Sequence, residues 1–249
     1  EEVGFIQRAA EQQQGDLRVR VAVLSHQESL DGFGVPLGKQ GIQPVWIEIA
    51  NASGQHYVFL PIDVDPDYYA PFEIAWKYRY TKTDEALQEI GLHFDQYQLP
   101  FFINPGETVS GFVFTNLDRG AKAVALDLVG EDQSFVSFEF VVEVPGFRAD
   151  FLEKDWDALR AATEFQDLDS EGLRRALADL PCCVLGGDRE TLGDPLNIVI
   201  IGQIKDGQIL FPLVRRGWDL TETTHAGSVW GTGKSSLFRS QYRYSRVSP

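Results

Sequence analysis

The chain has 249 residues and is 43% hydrophobic, enough apolar material for one large or two ordinary domains. Its formal charge of −15 argues against a general nucleic-acid partner, because phosphate binding is driven by Lys and Arg. No run of about 18 apolar residues is present to suggest a membrane-spanning helix. The sequence begins at Glu1 and contains no Met, which fits removal of a targeting segment.

Residues 3–14 read as a short helix or tail closed by Gln12-Gln13-Gln14-Gly15. Leu17, Val19, Val21 and Val23 then alternate with Arg18, Arg20 and Ala22, the period of a strand. Gly32, Gly34, Gly38 and Gly41 mark a turn-rich connection, followed by strands over 45–50 and 57–60. From Pro71 the period changes to that of helices, with Thr83 as cap for Leu87, Ile90 and Phe94. This predicts a helical insertion at about 71–97. Further strands follow over 109–115, 123–129 and 135–144. In the last, Phe138, Phe140 and Val142 should face the core, with Glu139 and Glu143 in water.

The expected fold is mostly β, an immunoglobulin-like antiparallel β-sandwich over 1–150, followed by a small α+β unit over 151–249. In the second unit, helices are expected over 156–162, after Ser170 as cap, and over 212–216 before Gly217. A buried strand is expected over 196–202.

Candidate chemistry is sparse. Asp63, Asp65 and Asp67 present three carboxylates two residues apart, as at the start of a calcium loop, but Tyr68 and Ile74 exclude an EF-hand. Calcium in another loop geometry competes with a plain acidic turn. Gly231-Thr232-Gly233-Lys234-Ser235 lacks the earlier Gly of a phosphate loop, since Ser228 stands there. His26, His56, His93 and His225 show no metal-ligand spacing. Cys182 and Cys183 are adjacent, and two small side chains packed behind the helix end at Pro181 are expected to stay reduced and buried. Residues 223–249 carry four cations and no carboxylate, interleaved with Phe238, Tyr242 and Tyr244, which favours folding back onto an acidic protein.

Three stretches together resemble a group of bacterial cell-envelope proteins: Gly41 to Ile49, Ser110 to Asp118, and Leu180-Pro181-Cys182-Cys183 with Gly193 to Asn197. From about Gly193 through Arg215-Arg216-Gly217-Trp218 to the carboxy terminus the chain is similar to the LssY carboxy-terminal domain family. The resemblance implies an exported protein, periplasmic or membrane-associated, and carries over no catalytic residue. A sandwich presents loops and edge strands, so a protein partner in the envelope is expected, with a membrane-surface contact or an anchor outside this chain as an alternative mode of attachment. The expected function is a non-enzymatic accessory or scaffold protein that needs no cofactor. The rivals are a binding module for a small ligand or calcium through Asp63, Asp65 and Asp67, and a hydrolase with a dispersed site.

Overall fold

The computed structural model describes residues 4–147, 158, 167–185, 190–195 and 210–218. It divides into two compact units, Glu1–Ala149 with Lys205–Glu222 and Asp150–Ile204 with Thr223–Pro249.

The first unit is a sandwich of two antiparallel sheets. Its elements are β1 (Ala10–Gln14), β2 (Leu17–Val23), α1 (His26–Phe33), a 3₁₀ turn (Leu37–Gln40), β3 (Ile42–Asn51), β4 (Tyr57–Phe59), α2 (Pro61–Val64), α3 (Pro71–Trp76), α4 (Asp84–Tyr97), β5 (Phe102–Ile103), β6 (Thr108–Asn116), β7 (Ala121–Gly130) and β8 (Phe135–Glu143). One sheet has the order β1-β2-β3-β6 and the other β5-β4-β7-β8.

Alternation along the strands builds the layers. Val19, Val21, Ile47, Ile49 and Val113 from one sheet meet Phe59, Val124, Leu126, Phe138 and Phe140 from the other in the central core. The residues between them face outward, yet many are also covered. Ala22, Ile42, Trp46 and Phe114 lie in a second core with Phe33, Ile74, Tyr78, Leu87 and Phe94 of the helical segments. This double burial explains why β3 reads as a nearly unbroken apolar run. On the opposite sheet a further helix, α6 (Leu210–Arg215; α5 follows below), covers Ala123 and Ala125 with Phe211.

In β8, Phe138, Phe140 and Val142 are buried and Glu139 and Glu143 exposed, the register the alternation predicts. Residues 10–14 form a strand rather than a helix or tail. Gly15, with φ at 58°, and Asp16 make a two-residue turn that pairs Gln14 with Leu17, and pairing to β2 overrides the polar composition. The connection over 24–41 holds a true helix. Ser25 and Glu28 close a capping box on α1, and Gly34 ends it in the left-handed conformation.

Sheet edges are largely closed. Tyr69 and Leu99 donate backbone hydrogen bonds to Phe114 O and Phe112 O along β6. On β8, Gln12 and Gln14 side chains donate to Glu139 O and Ser137 O at 2.7 and 2.6 Å. Such coverage removes the strand template that exposed edges offer.

In the second unit, α5 (Ser170–Ala178) is capped by Asp169, one residue before the expected Ser170, with Gly172 N donating to its carboxylate at 2.7 Å. A hairpin joins β9 (Cys183–Leu185) to β10 (Leu192–Pro195). Cys182 and Cys183 are joined as a disulfide, not held as free thiols. Cys182 is exposed and Cys183 half-buried, so the helix end does not bury the pair, and neither cysteine has another in the chain to choose. The expected helix over 156–162, apart from Ala158, and the strand over 196–202, the Gly-rich loop at 231–235 and the basic segment 223–249 lie outside the described residues.

Candidate functional site

The three aspartates do not converge. Asp65 is buried and its carboxylate reaches Lys122 Nζ at 2.8 Å, while its other oxygen accepts from Asp67 N at 2.9 Å. Lys122 is fully buried at the rim of the central core, where Asp118 at 2.5 Å and Asn116 O at 2.8 Å complete its shell. A buried ammonium without such partners would be strongly destabilising, so Asp65 is committed to structure. Asp63 instead faces Asp127. Burial pushes its carboxyl up, the Asp127 charge and hydrogen bond add to that, and Arg215 partly offsets it. Asp67 is exposed. Among the described residues no group of three or more His, Cys, Asp or Glu side chains gathers to hold a metal ion, and the calcium reading gains no support.

Histidines build no reaction centre among the described residues. His56 Nδ1 lies 3.1 Å from Asn104 Oδ1 on an exposed loop, and among the described residues no His–Ser or His–carboxylate pair stands at hydrogen-bond distance. A cleft of about 400 Å³ opens at one end of the sandwich between Leu24, Ile42, Leu117 and Val144, with Lys39 on its rim. Ser29 also lines it, and its buried hydroxyl has no hydrogen-bond partner.

The helical insertion carries the most unusual surface. Pro71 starts α3 at its first position, and Glu73 closes it by accepting from Ala70 N at 2.8 Å. Ile74 and Tyr78 face the second core and Ala75 is buried, while Phe72, Trp76 and Tyr80 turn outward at 54, 61 and 84% exposure. Phe72 and Trp76 share one face of α3, and the turn over 77–81 that follows the helix carries Tyr80. The guanidinium of Arg79 ties the last two together, 5.5 Å from the Trp76 ring centre and 4.2 Å from that of Tyr80. Arg79 also donates to Trp76 O and Tyr80 Oη, at 3.1 and 3.0 Å. Beside them Lys77 Nζ lies 4.6 Å over the Tyr69 ring. Tyr69, Phe72, Trp76, Lys77 and Arg79 line an open groove of about 540 Å³.

Gly91 lets this face form, since a β-carbon there would stand 2.5 Å from the Phe72 ring. Among the described residues Lys77, Arg79 and Lys82 have no carboxylate within ion-pair distance, although the chain carries 37 acidic side chains. The helical spacing was read from the sequence, but the surface was not. Its signal is the run Trp76-Lys77-Tyr78-Arg79-Tyr80-Thr81-Lys82, which alternates rings with cations.

No family model matches the chain. No curated protein matches it. Among solved structures it is similar to the apo PmoF2 PCuAC domain, at 12% identity over 55% of this chain and 97% of that one, with a TM-score of 0.30. A FixG-related protein from Vibrio parahaemolyticus matches at 11% identity over 51% of this chain and 96% of the other, with a TM-score of 0.27. A DUF4426 family protein from Pseudomonas aeruginosa PAO1 matches at 11% identity over 56% and 97%, with a TM-score of 0.26. No helix among the described residues is long and apolar enough to cross a membrane.

Proposed function

We propose that this protein is a non-enzymatic, exported accessory module of the cell envelope that docks through the α3 face. The observation that carries it is the exposed row Phe72, Trp76 and Tyr80 with Arg79 laid across two of its rings. Aromatic and Arg side chains are the residue types that dominate interface energies, and exposing three large rings in one row has no benefit to folding. The covered edges of β6 and β8 argue against docking by strand addition at those two strands. The envelope setting and the LssY-like character of 151–249 belong to this same reading, supported by the sequence resemblance, as does the immunoglobulin-like type of the sandwich, supported by the strand alternation.

A benzophenone side chain installed at Tyr80 tests it in intact cells. The expected result is an adduct with one reproducible envelope component that disappears when Trp76→Ala is added. Labelling no greater than from a benzophenone at the exposed Gln88 would reject the docking face.

A second reading has an observation of its own. The cleft between Leu24, Ile42 and Val144 has the volume and apolar lining of a small-molecule site, with the unpartnered Ser29 hydroxyl among its walls. An apolar fluorescent probe displaced from the wild type but not from Ile42→Trp would favour it.

A further inference from the structure

We infer that the α3 face seats on a lipid bilayer surface bearing anionic phospholipid, with Trp76 and Tyr80 entering the headgroup layer and Lys77, Arg79 and Lys82 meeting its phosphates. This rests on the docking-face reading above and names its occupant.

Charge is the first argument. The whole chain carries −15, yet three cations without carboxylate partners among the described residues fall within six positions of sequence beside the exposed rings. A surface of that sign inside an acidic molecule selects an anionic occupant. It also orients the approach, since the acidic remainder is repelled by the same charges that attract this face. Glu73 is the acid in the groove, and its carboxylate is engaged by Ala70 N; Asp84 and Glu85 follow Lys82 in the first turn of α4, where they complement that helix's positive end.

Side-chain type is the second argument. Trp and Tyr combine an apolar body with a polar tip, which suits the boundary between headgroups and acyl chains. Here they project into solvent beside an open groove, at 61 and 84% exposure. The Arg79 guanidinium lies over the Trp76 and Tyr80 rings and Lys77 Nζ over the neighbouring Tyr69 ring, so the charges are held among the aromatic side chains themselves. Rings with cations held against them can enter a headgroup layer while meeting its phosphates, the arrangement of an interfacial anchor.

Co-sedimentation of the full chain with vesicles decides the matter. One set is phosphatidylcholine alone and the other has about a third of that lipid replaced by phosphatidylglycerol. Three cations at an anionic surface should favour the second set on the order of a hundredfold. Raising the salt from about 0.1 to about 1 M should remove most of that preference. Trp76→Ala with Tyr80→Ala should weaken binding about tenfold or more. Lys77→Gln with Arg79→Gln and Lys82→Gln should abolish the preference for anionic lipid. Phe135→Ser, an exposed ring on β8 of the other sheet, should bind as the wild type does. Unchanged circular dichroism shows that each variant is folded. Equal binding to both vesicle sets, or binding indifferent to the aromatic pair, overturns the inference. A Tyr80 adduct with an acidic protein and no vesicle binding overturns it too, while leaving the docking face standing. Neither adduct nor vesicle binding rejects both.

Discussion

Glu28 shows how a single side chain serves two roles at once. It closes the capping box of α1 by accepting from Ser25 N at 2.7 Å, and it receives the Arg8 guanidinium through both oxygens. Burial pushes its carboxyl up, but the hydrogen bonds from Arg8 and Ser25 outweigh that and hold it lowered to about 2, from an ordinary 4.5. A depressed carboxylate contributes stability that is fully present above the unfolded value and is lost as pH falls through the folded one. The melting temperature of the wild type should therefore exceed that of Glu28→Gln at neutral pH, with the gap closing between about pH 4.5 and pH 2. Thermal unfolding followed by circular dichroism across that window checks it; a gap that stays constant down to pH 2 would mean Glu28 is not held ionised by these bonds.

At the scale of elements, the strands and the α3–α4 pair were legible because their apolar period is unambiguous, as in Leu17 to Val23 and Leu87 to Phe94. What was not legible depends on partners distant in sequence. Residues 10–14 become a strand through β2, and Asp65 becomes a structural anion through Lys122, far along the chain on β7. The spacing of Asp63, Asp65 and Asp67 carries no information about that lysine. The closure of the β6 edge is another such case, and it depends on Gly111. A β-carbon at Gly111 would lie 2.6 Å from the backbone N and Cα of Leu99, so Gly111→Ala must push the 98–99 segment off the strand. The expected cost is about 1–3 kcal/mol. Hydrogen exchange should report it locally, because the Leu99 amide, which donates to Phe112 O at 3.1 Å, would exchange faster in the variant. An unchanged rate at Leu99 would show that the edge is sealed by something other than this close approach.

On the scale of the whole molecule, the sandwich is not finished by its own contiguous residues. The unit built on 1–149 also includes Lys205–Glu222, so the chain leaves it, returns and leaves again. The returning segment supplies α6, where Phe211, only 7% exposed, packs on Ala123 and Ala125 of β7 with Val141 and Val214 beside it. Arg215 fastens the other end by donating to Asp63 O and Val64 O at 2.7 and 3.2 Å. Without this cover the outward face of β7 and β8 would present Ala123, Ala125 and Val141 to water, an apolar strip that strands of the other sheet cannot reach. The first unit should therefore depend on a helix that lies, in sequence, beyond most of the second. Phe211→Ala is expected to lower the stability of the sandwich by about 3 kcal/mol, the loss typical of a buried ring replaced by methyl. Calorimetry of the full chain measures this as a downward shift of the transition that also carries the fluorescence change of buried Trp46, accompanied by new binding of an apolar dye. If that transition stays in place and no dye binds, the sandwich is self-sufficient and α6 merely rests on it.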